Sequence, residues 1–229
     1  MRKPPADRLE GLLEAATNVF AERGYQRAQM ADIAREMGVS PGALYLYVES
    51  KEALFSLVLA HASGHDDCPA PNGFPVPTPP PGAILERLAS HATDAQKLPS
   101  LTAALETESA EDPVAELSSI VTEFYTMSEQ HRRVLDVLER SALDWPELAA
   151  VFFRDIRGAF LDRLTRYLRR RMESGQLRQL PDASLGARFI LESVSWFAWR
   201  RHHEPQDSAL PPDTTRAAIV SLLVAALLP

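Results

Sequence analysis

Residues Ala31 to Leu54, ADIAREMGVSPGALYLYVESKEAL, constrain this chain more than any other stretch. Two short helical patterns meet at Gly38, and a third helix start, Ser50-Lys51-Glu52, follows at once. Glycine at a helix end supplies the left-handed backbone that other residues adopt only at a cost. Helix, glycine turn, helix at this spacing is the grammar of a helix-turn-helix unit, whose second helix lies in the major groove of DNA.

The neighbouring residues extend the pattern. Asp7 to Arg23 is amphipathic through Leu9, Leu13, Ala16 and Phe20, with Leu12 and Val19 beside them, and Gly24 stops it. Ala28 to Met37 is the second helix, burying Met30, Ile33, Ala34 and Met37, and Val39 fills the inside of the turn after Gly38. Ser40 as N-cap and Pro41 at the first helical position open a third helix to about Val48. Its inner face is Leu44, Tyr47 and Val48; its outer face is Gly42, Ala43, Tyr45 and Leu46. Two small residues followed by a tyrosine and a leucine suit a helix that approaches a duplex closely. Tyr45 can bond a phosphate or base, and Leu46 can touch a thymine methyl. Ser50 caps the fourth helix and sets Lys51 at its positive end, where a phosphate binds.

The run GYQRAQMADIAREMGVSPGALYLYVESKEALF resembles the N-terminal domain of the TetR family of bacterial transcriptional regulators, over roughly residues 9–60. The resemblance implies an all-helical homodimer, each subunit with a small DNA-binding head and a larger ligand-binding body. It assigns DNA contacts to Ala28 and Gln29, to Ser40, Pro41, Gly42, Ala43, Tyr45 and Leu46, and to Lys51. Two positions depart from the family. Ala28 stands where threonine often caps the second helix and touches phosphate, so Gln29 or Arg27 inherits that contact. Pro41 stands where lysine is common, which removes a cation from the interface.

A net charge of -7 is unusual for a DNA binder. Residues 1–62 carry 7 Lys+Arg against 8 Asp+Glu, so most of the acidity lies outside the head. Phosphate binding then rests on a few placed cations and helix N-termini, not on a strong overall field. The single cysteine, Cys68, permits no disulfide within the chain and suits a reducing cytoplasm. The N-terminus lacks the apolar core of a secretion signal, and the longest apolar run, Ala217 to Leu228, is too short to span a bilayer. A cytoplasmic chain without membrane contact is expected.

The expected organisation is a head over residues 1–50, a connecting helix over 51–64, a Pro-rich loop over 65–82 lying on the body, and the body over 83–229. The fold class is all-α, a helix-turn-helix three-helix head and a larger C-terminal helical ligand-binding and dimerisation domain. The loop HDDCPAPNGFPVPTPPPG cannot be regular helix. His61, His65 and Cys68 invite a metal site, but no fourth ligand is obvious, so neither metal nor cofactor is expected. Helices follow over Ala83 to Lys97, Leu101 to Ser109, Pro113 to Glu129, Gln130 to Leu143, Pro146 to Ser174, Pro181-Asp182 to His203, and from a cap at Asp213 to Leu228.

The last two helices are apolar on nearly every face, and such helices must be covered all round. A two-fold four-helix interface through Val194, Phe197, Ile219, Leu222, Leu223 and Ala226 answers that need and holds two heads for a near-palindromic operator. An apolar pocket for a small-molecule effector draws on Phe124, Tyr125, Met127, Trp145, Phe152, Phe153, Phe189, Trp196 and Trp199, with Glu192 as a polar interruption that can instead pair with Arg188. Plain core packing is the competing account of each aromatic. The basic run Arg163, Arg166, Arg169, Arg170 and Arg171 reads as a solvated helix surface. No nucleophile-elbow, phosphate-loop or zinc-protease spacing occurs, which argues against an enzyme. A helical protein-interaction module whose head no longer reads DNA is the other alternative. The expected function is a ligand-responsive repressor, released from its operator by an apolar or amphipathic small molecule.

Overall fold

The computed structural model describes residues 6–62, 73–95, 98–204 and 210–229. Among these the regular elements are helices, with one isolated backbone bridge between Val48 and Val76. In chain order they are α1 (Ala6–Arg27), α2 (Met30–Met37), α3 (Pro41–Leu44), α4 (Lys51–Ala62), α5 (Ala83–Ala95), α6 (Pro99–Glu106), α7 (Pro113–Gln130), α8 (Arg132–Ala142) and α9 (Pro146–Ala149). A π-helical segment, Ala150–Gly158, leads into α10 (Ala159–Glu173). Then come α11 (Ala183–Ala198), a 3-10 turn at Arg200–His203, and α12 (Pro212–Leu227). The all-α class is as expected. The single helix expected from Pro146 to Ser174 is instead three segments of different pitch.

The chain forms two compact units, one of Met1–Ala89 with Arg133–Phe152, the other of Ser90–Arg132 with Phe153–Pro229. These cut across the expected boundaries, because residues 133–152 pack with the head.

In the first unit, Leu12, Leu13, Ala16 and Phe20 of α1 pack with Ile33 and Ala34 of α2 and with the uniformly buried run Ala53 to Leu59 of α4. Each large aliphatic or aromatic side chain removed from water contributes about 1.5–3 kcal/mol. Gly24 breaks the helical path of α1 with φ 77° and ψ 163°. A Cβ there would lie 2.9 Å from the Arg140 carbonyl oxygen, so glycine serves both the backbone angle and the approach of α8. Around that contact, Arg140 Nε donates to Glu22 O (2.8 Å), Tyr25 N–H to Ser141 Oγ (3.0 Å), and an Arg133 guanidinium nitrogen to Asn18 Oδ1 (2.8 Å). Trp145 stacks on Tyr25 with ring centroids 4.8 Å apart, and Phe55 joins the same aromatic group. Only the long-range fold brings residues 133–148 to α1; nothing local in their sequence announces it.

The second unit packs α7, α10, α11 and α12 around a continuous apolar core, with α6 against α7 and α10. Asp112 caps α7 through the Val114 and Ala115 amides, and Asp182 caps α11 through Ser184. Asp213, the expected cap of the last helix, instead pairs with Arg216 at 2.7 Å, and Pro211 occupies the cap position. Arg171, expected on a solvated surface, is fully buried. It grips the Glu116 carboxylate through Nε and an NH2 nitrogen (2.8 and 2.9 Å) and donates to the carbonyls of Ala104, Thr107 and Glu108 at the end of α6. Those carbonyls have no helical partner of their own, which explains why a charge is tolerated there.

The expected subunit interface is partly corrected. Val194, Ile219 and Leu223 belong to this chain's own core, and Phe197 packs against it half-buried. Leu222 and Ala226 are exposed, as are Leu185 and Phe189 on α11. Apolar periodicity alone does not tell the inward face of such a helix from the outward one.

Candidate DNA-reading site

The second helix of the helix-turn-helix is shorter than its sequence suggests. α3 completes one turn, opened by a three-residue step from Ala43 N–H to Ser40 O (2.9 Å), and the chain continues with Leu46 N–H to Ala43 O (3.3 Å), Tyr47 N–H to Leu44 O (2.9 Å) and Val48 N–H to Leu44 O (3.2 Å). Three residues per turn stacks Leu44 directly over Tyr47 on the inner side. Both are buried, with Val48, as the inner face required. Tyr45 and Leu46 are forced outward and are 49% and 59% exposed. Pro41 and Gly42 are also exposed and Ala43 partly so, leaving a narrow tip. Ser40 holds the N-cap position in extended backbone, but its hydroxyl makes no capping bond.

At the start of α2 the expected contacts divide. Gln29 is exposed, and its N–H donates to Asp32 Oδ2 at 3.3 Å. Ala28, by contrast, is buried with 1% exposure, so it is not a DNA contact. Its methyl is enclosed where the chain passes from α1 to α2, and α2 starts two residues later than the sequence pattern indicated.

The cations around the tip already have partners. Arg23 reaches Asp32 at 2.9 Å and Arg35 reaches the same carboxylate at 3.1 Å. Burial works to raise the Asp32 carboxyl, but the Gln29 amide and the Arg23 and Arg35 guanidiniums outweigh it and hold the group below its ordinary value. Arg27 pairs with Asp144 at 2.7 Å. Lys51 does not stand free at the N-terminus of α4. Its ammonium donates to the carbonyls of Tyr25 (2.9 Å), Ala28 (3.0 Å) and Gln26 (3.4 Å) and lies 4.5 Å from the Tyr25 ring centroid. Partial burial therefore pushes its pKa down. Ser50 caps α4 as expected, through the Ala53 amide. Tyr25 donates to Glu52 at 2.8 Å, a bond that lowers the Glu52 pKa and, after burial, helps raise that of the phenol.

The expected effector residues are divided between the two units. Trp145 belongs to the aromatic group of the first unit, where Phe152 also falls. Phe124 and Tyr125 are core residues of the second unit, Phe124 lying 4.5 Å from Phe160 and Tyr125 donating to Phe197 O at 3.0 Å. Met127 packs partly buried against that core and Trp199 is buried. Phe153 and Phe189 are exposed. Trp196 is half-buried with its ring edge-on to Phe197. Glu192 holds more than its expected partner: Arg157 (2.7 Å), Arg188 (3.1 Å) and Arg200 (3.1 Å) all meet its carboxylate. A groove of about 640 Å³ lies elsewhere in the second unit, between α7 and α12, lined by Val114, Ser118, Arg216, Val220 and Val224 among others. His65 and Cys68 lie outside the described residues.

A helix-turn-helix with an exposed aromatic tip, carried by an otherwise helical chain, has the form of a DNA-reading unit. Residues 12–58 match the bacterial regulatory proteins of the tetR family, and residues 115–228 match the C-terminal domain of AefR-like transcriptional repressors. The chain belongs to the TetR family. It is 38% identical over 66 residues to the HTH-type transcriptional repressor KstR2 of Rhodococcus jostii (strain RHA1), covering 26% of this chain and 32% of that protein. The chain spans about a third or less of the length of the curated relatives it matches. Among solved structures, the ketosteroid transcriptional regulator KstR2 of Mycobacterium tuberculosis superposes with a TM-score of 0.56 at 18% identity, over 99% of this chain and 97% of the other. AibR in complex with isovaleryl coenzyme A and operator DNA gives 0.52 at 19% identity, over 95% and 98%. At these identities the likeness is one of fold. Among the described residues no helix is long and apolar enough to cross a membrane.

Proposed function

We propose that this chain is a cytoplasmic repressor that binds a near-palindromic operator as a homodimer and is released by an apolar or amphipathic small molecule. The observation that carries the reading is the exposure of Tyr45 and Leu46 at the tip that follows Ser40, beside the buried Leu44, Tyr47 and Val48. Gln29, Ser40, Pro41, Gly42 and Ala43 complete the contact surface, and Arg27 and Lys51 approach phosphates by exchanging their present partners. Pairing of two chains through the exposed Leu185, Phe189, Leu222 and Ala226 would cover apolar surface that a lone chain leaves wet. For the effector, the support is the family and the acyl thioester held by AibR, with the Glu192 cluster as a candidate polar anchor. Acyl thioesters are thus the first compounds to screen.

A second reading, a protein-interaction module, is favoured by the paired state of Arg23, Arg27, Arg35 and Lys51. Selection from random duplex DNA by the purified full-length chain separates the two. A regulator enriches a near-palindrome, and Tyr45→Ala weakens binding to it by about 1–3 kcal/mol. An interaction module enriches nothing, or binds equally with and without Tyr45.

A further inference from the structure

The Pro-rich stretch after α4 was expected to lie over the body. Its described part, residues 73–82, instead turns back onto the reading tip. Val76 N–H donates to Tyr47 O at 2.8 Å, and Glu49 N–H donates to Val76 O at 3.0 Å, closing the one backbone bridge among the described residues. Phe74 sets its ring edge-on against Tyr47, with centroids 5.6 Å apart. Thr78 N–H donates to a Glu49 carboxylate oxygen at 3.0 Å, and the Thr78 hydroxyl lies 2.9 Å from Ser50 Oγ. Val76 itself is buried. Every one of these contacts falls on residues 47–50, immediately after the exposed pair Tyr45 and Leu46 and immediately before α4.

We propose that residues 74–78 are a strap that positions the reading tip, so that Phe74 and Val76 set sequence discrimination without touching DNA; this rests on the DNA-reading function above. The physical need is plain. α3 is a single helical turn, too short to hold its own shape. The chain beyond it passes through tight turns at residues 45–47, and the Tyr47 carbonyl and Glu49 amide find partners in the strap. A strand-like clamp on those groups fixes the direction in which Tyr45 and Leu46 leave the inner pair Leu44 and Tyr47. Proline on both sides of Val76 limits the strap's own freedom, so little order has to be gained when DNA arrives. Freed of the strap, the tip would sample other directions, and apparent affinity falls in proportion to the competent fraction.

The test uses full-length chains and the duplex that the unaltered protein enriches, with a scrambled duplex beside it. Val76→Pro deletes the amide that bonds Tyr47, Phe74→Ala deletes the ring contact, and Val76→Ile keeps both backbone bonds. The first two should lose about three- to tenfold on the enriched duplex, the scale of one lost hydrogen bond or ring contact. They should lose much less on the scrambled duplex, with the slope against log salt unchanged because no phosphate contact is removed. Val76→Ile should bind as the unaltered chain does. Equal losses on both duplexes, or full affinity in Val76→Pro and Phe74→Ala chains that melt normally, would overturn the strap while leaving DNA reading intact. Failure of the unaltered chain to enrich any duplex would overturn both.

Discussion

Among the described residues, the first compact unit keeps the arginines of its ion pairs at the surface, whereas the second closes one arginine inside. Around the reading tip, Arg27 is 56% exposed in its pair with Asp144, and Arg35 is 71% exposed in its pair with Asp32. In the second unit Arg171 has no exposure and Glu116 has 19%. A surface pair is worth about 0–1 kcal/mol and can be traded for another anion at little cost. A buried pair cannot be opened without stranding a charge, at about 3–5 kcal/mol. The same chemistry therefore serves exchange in one region and fixity in the other.

That contrast can be broken from either side. Arg171→Met leaves Glu116 and the terminal carbonyls of α6 without their donor and should lower unfolding free energy by about 3–5 kcal/mol, read by chemical denaturation. A loss below 1 kcal/mol would mean that the buried pair is not structural. Leu223→Glu and Leu222→Glu come next, because the two leucines are neighbours in sequence and opposites in burial. A carboxylate at the buried Leu223 should unfold the chain, at roughly 4 kcal/mol or more. At the 65%-exposed Leu222 it should leave the chain folded and shift sedimentation toward monomer. A Leu222→Glu chain still dimeric would remove that face from the interface.

Smaller effects probe the exchangeable pairs. Asp144→Asn frees Arg27 for phosphate and should tighten DNA binding by roughly 0.2–1 kcal/mol. It should also steepen the log-salt slope by about 0.9, one phosphate contact. An unchanged slope would show that Arg27 stays off the backbone. Smallest is an acid-limb effect at Glu192. Burial raises its pKa, but Arg157, Arg200 and Arg188 together hold it below the ordinary 4.5. A carboxyl held low stabilises the folded chain above that value, and the gain fades as pH falls through the folded pKa. Glu192→Gln should thus melt lower than the unaltered chain near pH 7, with the two curves converging below about pH 4.5. Parallel curves across that range would show that the ion pairs add nothing to stability.

What the sequence made legible follows the same divide. Gly24, Gly38, Ser50 and the inner face Leu44, Tyr47 and Val48 act through neighbours within a few residues, and all stand where the pattern put them. Asp182 caps its helix for the same reason. Contacts made across the chain left no local trace. Ala28 looks like any helix-start residue although the fold buries it, Arg171 looks like its four neighbouring arginines until α6 ends against it, and Trp145 looks like a pocket aromatic until it meets Tyr25. Lys51 had the right position for a phosphate, but the carbonyls at the end of α1 reach it first. Periodicity also could not choose a face on α11 and α12, where both sides are apolar.

The packing of residues 133–152 with α1 has a consequence for anyone recombining such regulators. A hybrid cut after residue 50 would carry the reading tip away from Arg133, Arg140, Ser141 and Trp145, which brace the C-terminal half of α1. It would also leave Gly24 facing a foreign backbone where only 2.9 Å is available to a Cβ. The transplantable piece is discontinuous in sequence. A graft that exchanges specificity should move Met1–Ala89 together with Arg133–Phe152, two stretches of chain that behave as one part.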